Sequence, residues 1–136
     1  MKRATREWVR KAEKDYRFAV QNVGANEPFY DQLCFHFQQS AEKYLKALQE
    51  ELGLAIPRTH VLKELLAMLA PHHPTLTSLR RGMRFLARFA VQTRYPGDQA
   101  SKRQAASALR WAREVRVACR TLLGIPPSPG RRRLSP

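Results

Sequence analysis

Along most of the chain, apolar residues return every three or four positions. Nowhere do they alternate with polar ones over the length of a strand. This period predicts an all-helical protein with helices over residues 3–23, 29–52, 60–70, 75–91 and 99–123. The breaks fall where backbone chemistry places them. Gly24 and Pro28 end the first helix, and Gly53 ends the second. Thr59 is the expected N-cap of the third, Pro71 and Pro74 bound the next turn, and Gly124 ends the fifth.

The second helix carries the most information. At 100° per residue, Leu33, Phe37, Ala41, Tyr44, Leu48 and Leu52 form one apolar face. Gln32, His36, Gln39, Lys43 and Lys46 form a separate stripe without an aliphatic residue. Such a stripe fits a solvated face, polar pairing between two copies of the helix, or a binding surface. In the fourth helix, Phe85 and Phe89 leave the stripe of Leu79, Met83, Leu86 and Ala90 on a second side. That position predicts a further buried contact, such as one with another subunit.

Composition narrows the class. With 136 residues, 43% of them hydrophobic, the chain is long enough for one packed domain, expected over 1–124, and too short for two. Residues 125–136 are rich in Pro and Arg and are expected to form a flexible tail. No apolar run is long enough to span a membrane, and the first twenty residues lack the apolar core of a signal peptide. Cys34 and Cys119 stand far apart among apolar neighbours and read as buried thiols. A cytoplasmic location is the expectation, with no metal site and no cofactor.

Charge changes the picture most. Twenty-five Lys and Arg stand against 11 acids, a net charge of +14. Residues 1–68 hold 11 basic and 9 acidic side chains, whereas residues 69–136 hold 14 and 2. An Arg-preferring genome accounts for Arg over Lys but not for the shortage of acids in the second half. So one-sided a field favours a polyanion such as nucleotide or RNA. Arg80, Arg81, Arg84 and Arg88 are expected on one side of the fourth helix. Lys102, Arg103, Arg110, Arg113, Arg116 and Arg120 are expected on one side of the fifth.

The joint before the fifth helix, TRYPGD, concentrates Arg94, Tyr95 and Asp98 around a Pro-Gly break. Pro96 and Gly97 make a turn, and Asp98 is the expected cap of the helix that follows. Arg94 either pairs with an acid or forks onto phosphate, and Tyr95 either packs on the bundle or stacks on a base. Lys43, Lys46 and His36 are candidate partners for the same phosphate. Arg58, Thr59 and His60, at a predicted helix N-terminus, form a second phosphate-site candidate. His60 there has a bland alternative, a local hydrogen bond beside the cap.

The run FHFQQSAEKYLKALQEELGL, then PRTHVLKELLAML, then TRYPGD before an Ala-rich helix, resembles the HEPN domain over roughly residues 6–123. More narrowly, it resembles the small stand-alone HEPN proteins encoded beside a minimal nucleotidyltransferase. The resemblance implies an up-and-down bundle of about five helices, a homodimer, and a nucleotidyltransferase partner in a toxin–antitoxin-like pair. It also implies one of two roles, binding of nucleotide or RNA phosphates or metal-independent ribonuclease activity. Nuclease members carry an Arg followed a few residues later by a His. Arg94 matches that Arg, but Tyr95 follows it, and Gln99, Ala100 and Ser101 stand where the His falls. The usual nuclease signature is absent, so phosphate binding is the leading expectation. A ribonuclease with a non-standard site, drawing its imidazole from His60 or His36 through space, is the alternative.

Overall fold

A computed structural model describes residues 1–91 and 95–127. Among these residues there are five α-helices and no strand: α1 Arg3–Gln21, α2 Tyr30–Glu51, α3 Leu62–Leu69, α4 Arg80–Leu86 and α5 Lys102–Leu123. The long helices α1, α2 and α5 make the bundle, and the short ones return the chain between α2 and α5. Thr5 of α1 bonds Glu51 near the end of α2, whereas Asp15 meets His36 near its start, so α1 and α2 are antiparallel. Asp31 meets Ala100 and Tyr44 meets Arg120, so α5 runs in the same sense as α2. No helix among the described residues is long and apolar enough to cross a membrane.

The predicted face of α2 is the middle of the core. Phe37, Ala41, Tyr44 and Leu48 are buried, with Leu45 and Ala47 buried beside them. α3 and its successors close one end with Leu62, Leu65, Leu69, Leu76, Leu86 and Phe89. Phe89 therefore belongs to the chain's own core and not to a subunit contact. Its ring meets that of half-buried Phe85 edge-on at 5.5 Å. Cys34 and Cys119 are free and buried, as their apolar neighbours predicted.

Helix ends depart from expectation for local reasons. Residues 75–91 do not form one helix. A 3₁₀ turn over Pro74–Leu79 precedes α4, and another over Ala87–Phe89 follows it. The hydroxyls of Thr77 and Ser78 donate to carbonyls three residues back, at 2.8 and 3.0 Å. That spacing fits the tighter winding, and Pro74 at its start has no N–H to satisfy. Thr59 does not cap α3. Its hydroxyl accepts the Val61 N–H at 3.1 Å, and the helix starts after an extended Val61. Nor does Asp98 cap α5. Ser101 and Gln104 exchange side-chain and backbone bonds there in a capping box. Gly124 ends α5 in the left-handed region, with φ 75°.

One ionic node ties the three long helices. Arg116 of α5 grips Glu13 of α1 with both forks, at 2.6 and 3.0 Å. The Tyr44 hydroxyl donates to the same carboxylate and accepts from Arg120 at 3.1 Å. Arg116 and Arg120 are thus buried, although the helical wheel predicted them on the basic side with the exposed Arg110 and Arg113. Their remaining donors reach the carbonyls of Pro127 and Pro126, so the start of the expected tail folds back on α5. Residues 128–136 lie outside the described residues.

Removing Glu13 strands two buried guanidiniums. Glu13→Ala is expected to lower unfolding free energy by about 3 kcal/mol, the low end for a broken buried pair because Glu13 retains some exposure. The midpoint of urea unfolding measures it.

Candidate functional site

The polar stripe of α2 is organised by two carboxylates. The first is Asp15 of α1. His36 and Lys43 lie two turns apart on α2, so both reach one point on the antiparallel helix. His36 Nδ1 is 2.8 Å from Asp15 Oδ1, and Lys43 Nζ is 2.6 Å from Oδ2. Phe18 and Phe35 meet the His36 ring edge-on, at 4.7 and 5.2 Å between centroids. The group is half-buried, and the Lys43 charge is opposed within the chain.

The second is Glu42 of α2 itself. Lys46, one turn on, donates to Glu42 Oε2 at 3.0 Å, and His60 Nδ1 lies 2.7 Å from the same oxygen. Gln38 donates to Oε1 at 3.3 Å. The side chains of Glu42 and Lys46 are only 4% and 6% exposed, whereas His60 is 71% exposed. Lys46 Nζ also sits 5.6 Å from the centre of the Trp8 ring. Burial pushes the Glu42 carboxyl up. Hydrogen bonds from His60 and Lys46 and their charges outweigh it, so the group stays below the usual range. An ionised carboxylate only accepts, so His60 Nδ1 carries the proton and Nε2 faces outward. Such a nitrogen can take a proton or bind an anion once the ring is charged.

The predicted site residues thus fall into pairs. His36 and Lys43 share Asp15, while Lys46 and His60 share Glu42. Arg58 is exposed in the link that also carries His60. Tyr95 is 83% exposed, and among the described residues no hydrogen bond or ion pair joins it to either pair. Arg94 lies outside the described residues. At the joint, Pro96 and Gly97 form a turn closed by the Asp98 N–H on the Tyr95 carbonyl at 2.9 Å, with Gly97 at φ 89°. The Asp31 carboxylate then accepts the Ala100 N–H at 2.7 Å.

Sequence reasoning missed both organising carboxylates. Glu42 had a usable signal, its spacing of four from Lys46. Asp15 had none without knowledge of the helix pairing. The exposed positive charge lies elsewhere. Arg80, Arg81 and Arg84 of α4 and Lys102, Arg103 and Arg113 of α5 are exposed, with no carboxylate in ion-pair reach among the described residues. No cluster of three metal-ligating side chains occurs among the described residues either.

With this geometry in view, the HEPN domain model matches residues 5–122. The chain belongs to the HEPN domain family. Two solved structures are similar to it. One is TT1696 from Thermus thermophilus, with 27% identity, a TM-score of 0.70, and 82% of this chain and 91% of that one covered. The other is ST0689, described as an archaeal HEPN homologue, with 23% identity and a TM-score of 0.72. It covers 90% of this chain and 99% of its own, and at that identity the likeness shows the fold alone. No protein of curated function matches this chain. Within that fold, α2 packs against both α1 and α5 in this chain and carries one or both partners of each carboxylate group.

Two glutamates, Glu13 and Glu42, make stability depend on pH. Burial pushes Glu13 up, but Arg116 and Tyr44 outweigh it, so Glu13, like Glu42, is held below the ordinary glutamate value of 4.5. A depressed native value adds stability above the unfolded value, and that stability is lost as pH falls through the native one. The urea midpoint is expected to drop on acidification below the ordinary glutamate range. Glu42→Gln is expected to flatten part of that drop, which a midpoint series against pH measures.

Proposed function

We propose that this HEPN protein is a binding module for the phosphates of nucleotide or RNA. It acts as a homodimer beside a small nucleotidyltransferase, in a toxin–antitoxin-like pair. The observation that carries the reading is the unopposed exposed charge on α4 and α5, in a half of the sequence with only 2 acids. Cations already held by internal carboxylates are not available to a ligand at full strength, and these are not so held. Tyr95 supports the same reading, because its exposed phenol offers a base a stacking surface, and Arg94 precedes it in the sequence. His36, Lys43, Lys46, Arg58 and His60 then line the approach in two grades. Arg58 and His60 are exposed enough to touch a ligand, while the lysines hold the carboxylates that orient the histidines.

One observation favours the second reading, a metal-independent ribonuclease. Glu42 holds His60 by Nδ1 and leaves Nε2 outward, the orientation a general base needs to take a 2′-hydroxyl proton. Labelled RNA incubated with the pure protein and a chelator separates the readings. Intact RNA that is bound supports the module, whereas cleavage lost in His60→Ala supports the ribonuclease.

Binding to a short fluorescent RNA is expected to weaken by about 10³-fold between roughly 50 and 200 mM salt if about six phosphates are neutralised. Arg94→Ala is expected to cost about 1–3 kcal/mol of binding while melting barely moves. Arg94→Lys is expected to restore only part, because an ammonium cannot fork. Salt-independent affinity, or an Arg94→Ala protein that unfolds while the bound fraction per folded chain persists, overturns the reading. Sedimentation at tens of micromolar (roughly) measures the dimer.

A further inference from the structure

A concavity lies between α3 and α4. It encloses about 460 Å³, within the range of small-ligand sites. Leu66, Ala67, Ala70, Met83 and Ala87 line it, with Val61 toward one side. Thr77 is its sole uncharged polar lining residue, and its hydroxyl already donates to Pro74. Lys63, Arg80 and Arg84 complete the lining. All three are exposed, and among the described residues none has a carboxylate in ion-pair reach. Apolar walls and three unopposed cations share one hollow, without an acid on its lining.

The geometry points to a binding site here for a small amphiphile with an anionic head, such as a free single-chain fatty acid. The apolar walls take the tail, and Lys63, Arg80 and Arg84 take the carboxylate. Size decides against a protein partner. Ten residues line the hollow, whereas a stable protein interface engages about 20–30 residues a side. A second copy has little to set against these three cations, because Glu13, Asp15 and Glu42 are already paired within the chain and residues 69–136 hold only 2 acids. A bare nucleotide fits poorly, since the walls offer its base almost no hydrogen-bonding partner. The site therefore differs in ligand class from the phosphate-binding reading, and its failure leaves that reading standing.

Anilinonaphthalene sulfonate, an apolar body with one anionic group, is the probe. With the full chain it is expected to bind saturably with one equivalent and to brighten. Dodecanoate below its micelle concentration is expected to displace it, and dodecyltrimethylammonium is not. Ala67→Trp places an indole in the hollow from an exposed position, and is expected to weaken both anions at least about tenfold without weakening RNA binding. The triple variant Lys63→Glu, Arg80→Glu, Arg84→Glu is expected to lose the anions by a similar factor and gain the cationic amphiphile. A melting curve and far-ultraviolet dichroism confirm that each variant is folded, and Ala67→Trp carries the test alone if the triple variant is not. Absent probe binding, equal displacement by both head groups, or an unaffected Ala67→Trp protein overturns the proposal. A probe signal that falls as protein concentration rises also overturns it, by assigning the hollow to a second copy.

Discussion

The constraint on which the bundle depends is the placement of two guanidiniums inside it. Arg116 and Arg120 cannot shed their charge, so α5 can pack on α1 and α2 only if an acceptor waits between them. Glu13 is that acceptor, and Tyr44 extends it from the opposite side. Isolated burial of either ion costs several kcal/mol, and the bidentate geometry offsets it. The node also fixes register. Sliding α5 by one turn against α1 leaves at most one of the two guanidiniums, which stand one turn apart, on Glu13 and strands the other. Hydrophobic contact between Ala-rich faces is far less particular, because small side chains at Ala105, Ala108 and Ala112 offer few knobs to oppose a slip. Ionic pairing supplies the specificity that those alanines lack.

The same logic divides the chain's positive charge into two populations. Some cations are held by acids, as Lys43 is by Asp15 across α1 and α2 and Lys46 is by Glu42 one turn away on α2. Others, among them Arg80, Arg81 and Arg84 of α4 and Lys102, Arg103 and Arg113 of α5, are exposed without an ion pair among the described residues. A net charge of +14 therefore understates how uneven the surface is. Internal pairs screen the first population at short range, and the second projects its field over a Debye length into solvent. Where acids are missing shapes that field more than where arginines are present.

Periodicity made the helices legible because α1, α2 and α5 each bury a continuous face, and a face repeats at 3.6 residues whatever it packs against. It could not tell which polar residues cross into the core. Lys46 reads like Lys43 on a helical wheel, yet one is buried beside Trp8 and the other is half-exposed. The partner that decides between them lies on another helix or loop. Phe89 shows the same limit from the apolar side. It leaves the stripe of its own helix because the 3₁₀ winding after α4 rotates it back into the core, and a constant 100° step cannot anticipate that. Capping misled for a third reason. Thr59 and Asp98 are good caps by type, but each sits in a turn that precedes the helix by a few residues, and only local backbone geometry places the true start.

That geometry also clarifies why TRYPGD has side chains to spare. Among the described residues, four devices build the joint. Pro96 and Gly97 turn the chain, the Asp98 N–H closes the turn, Asp31 pins the Ala100 N–H, and Ser101 with Gln104 caps α5. None of these uses the Tyr95 side chain. A phenol left 83% exposed buries little apolar area and adds correspondingly little to folding. Among the described contacts, folding gives this position little reason to be aromatic; the proposed phosphate-binding reading supplies one. Tyr95→Ala removes none of the described bonds that form the joint, so under the proposed reading its substitution best separates recognition from stability.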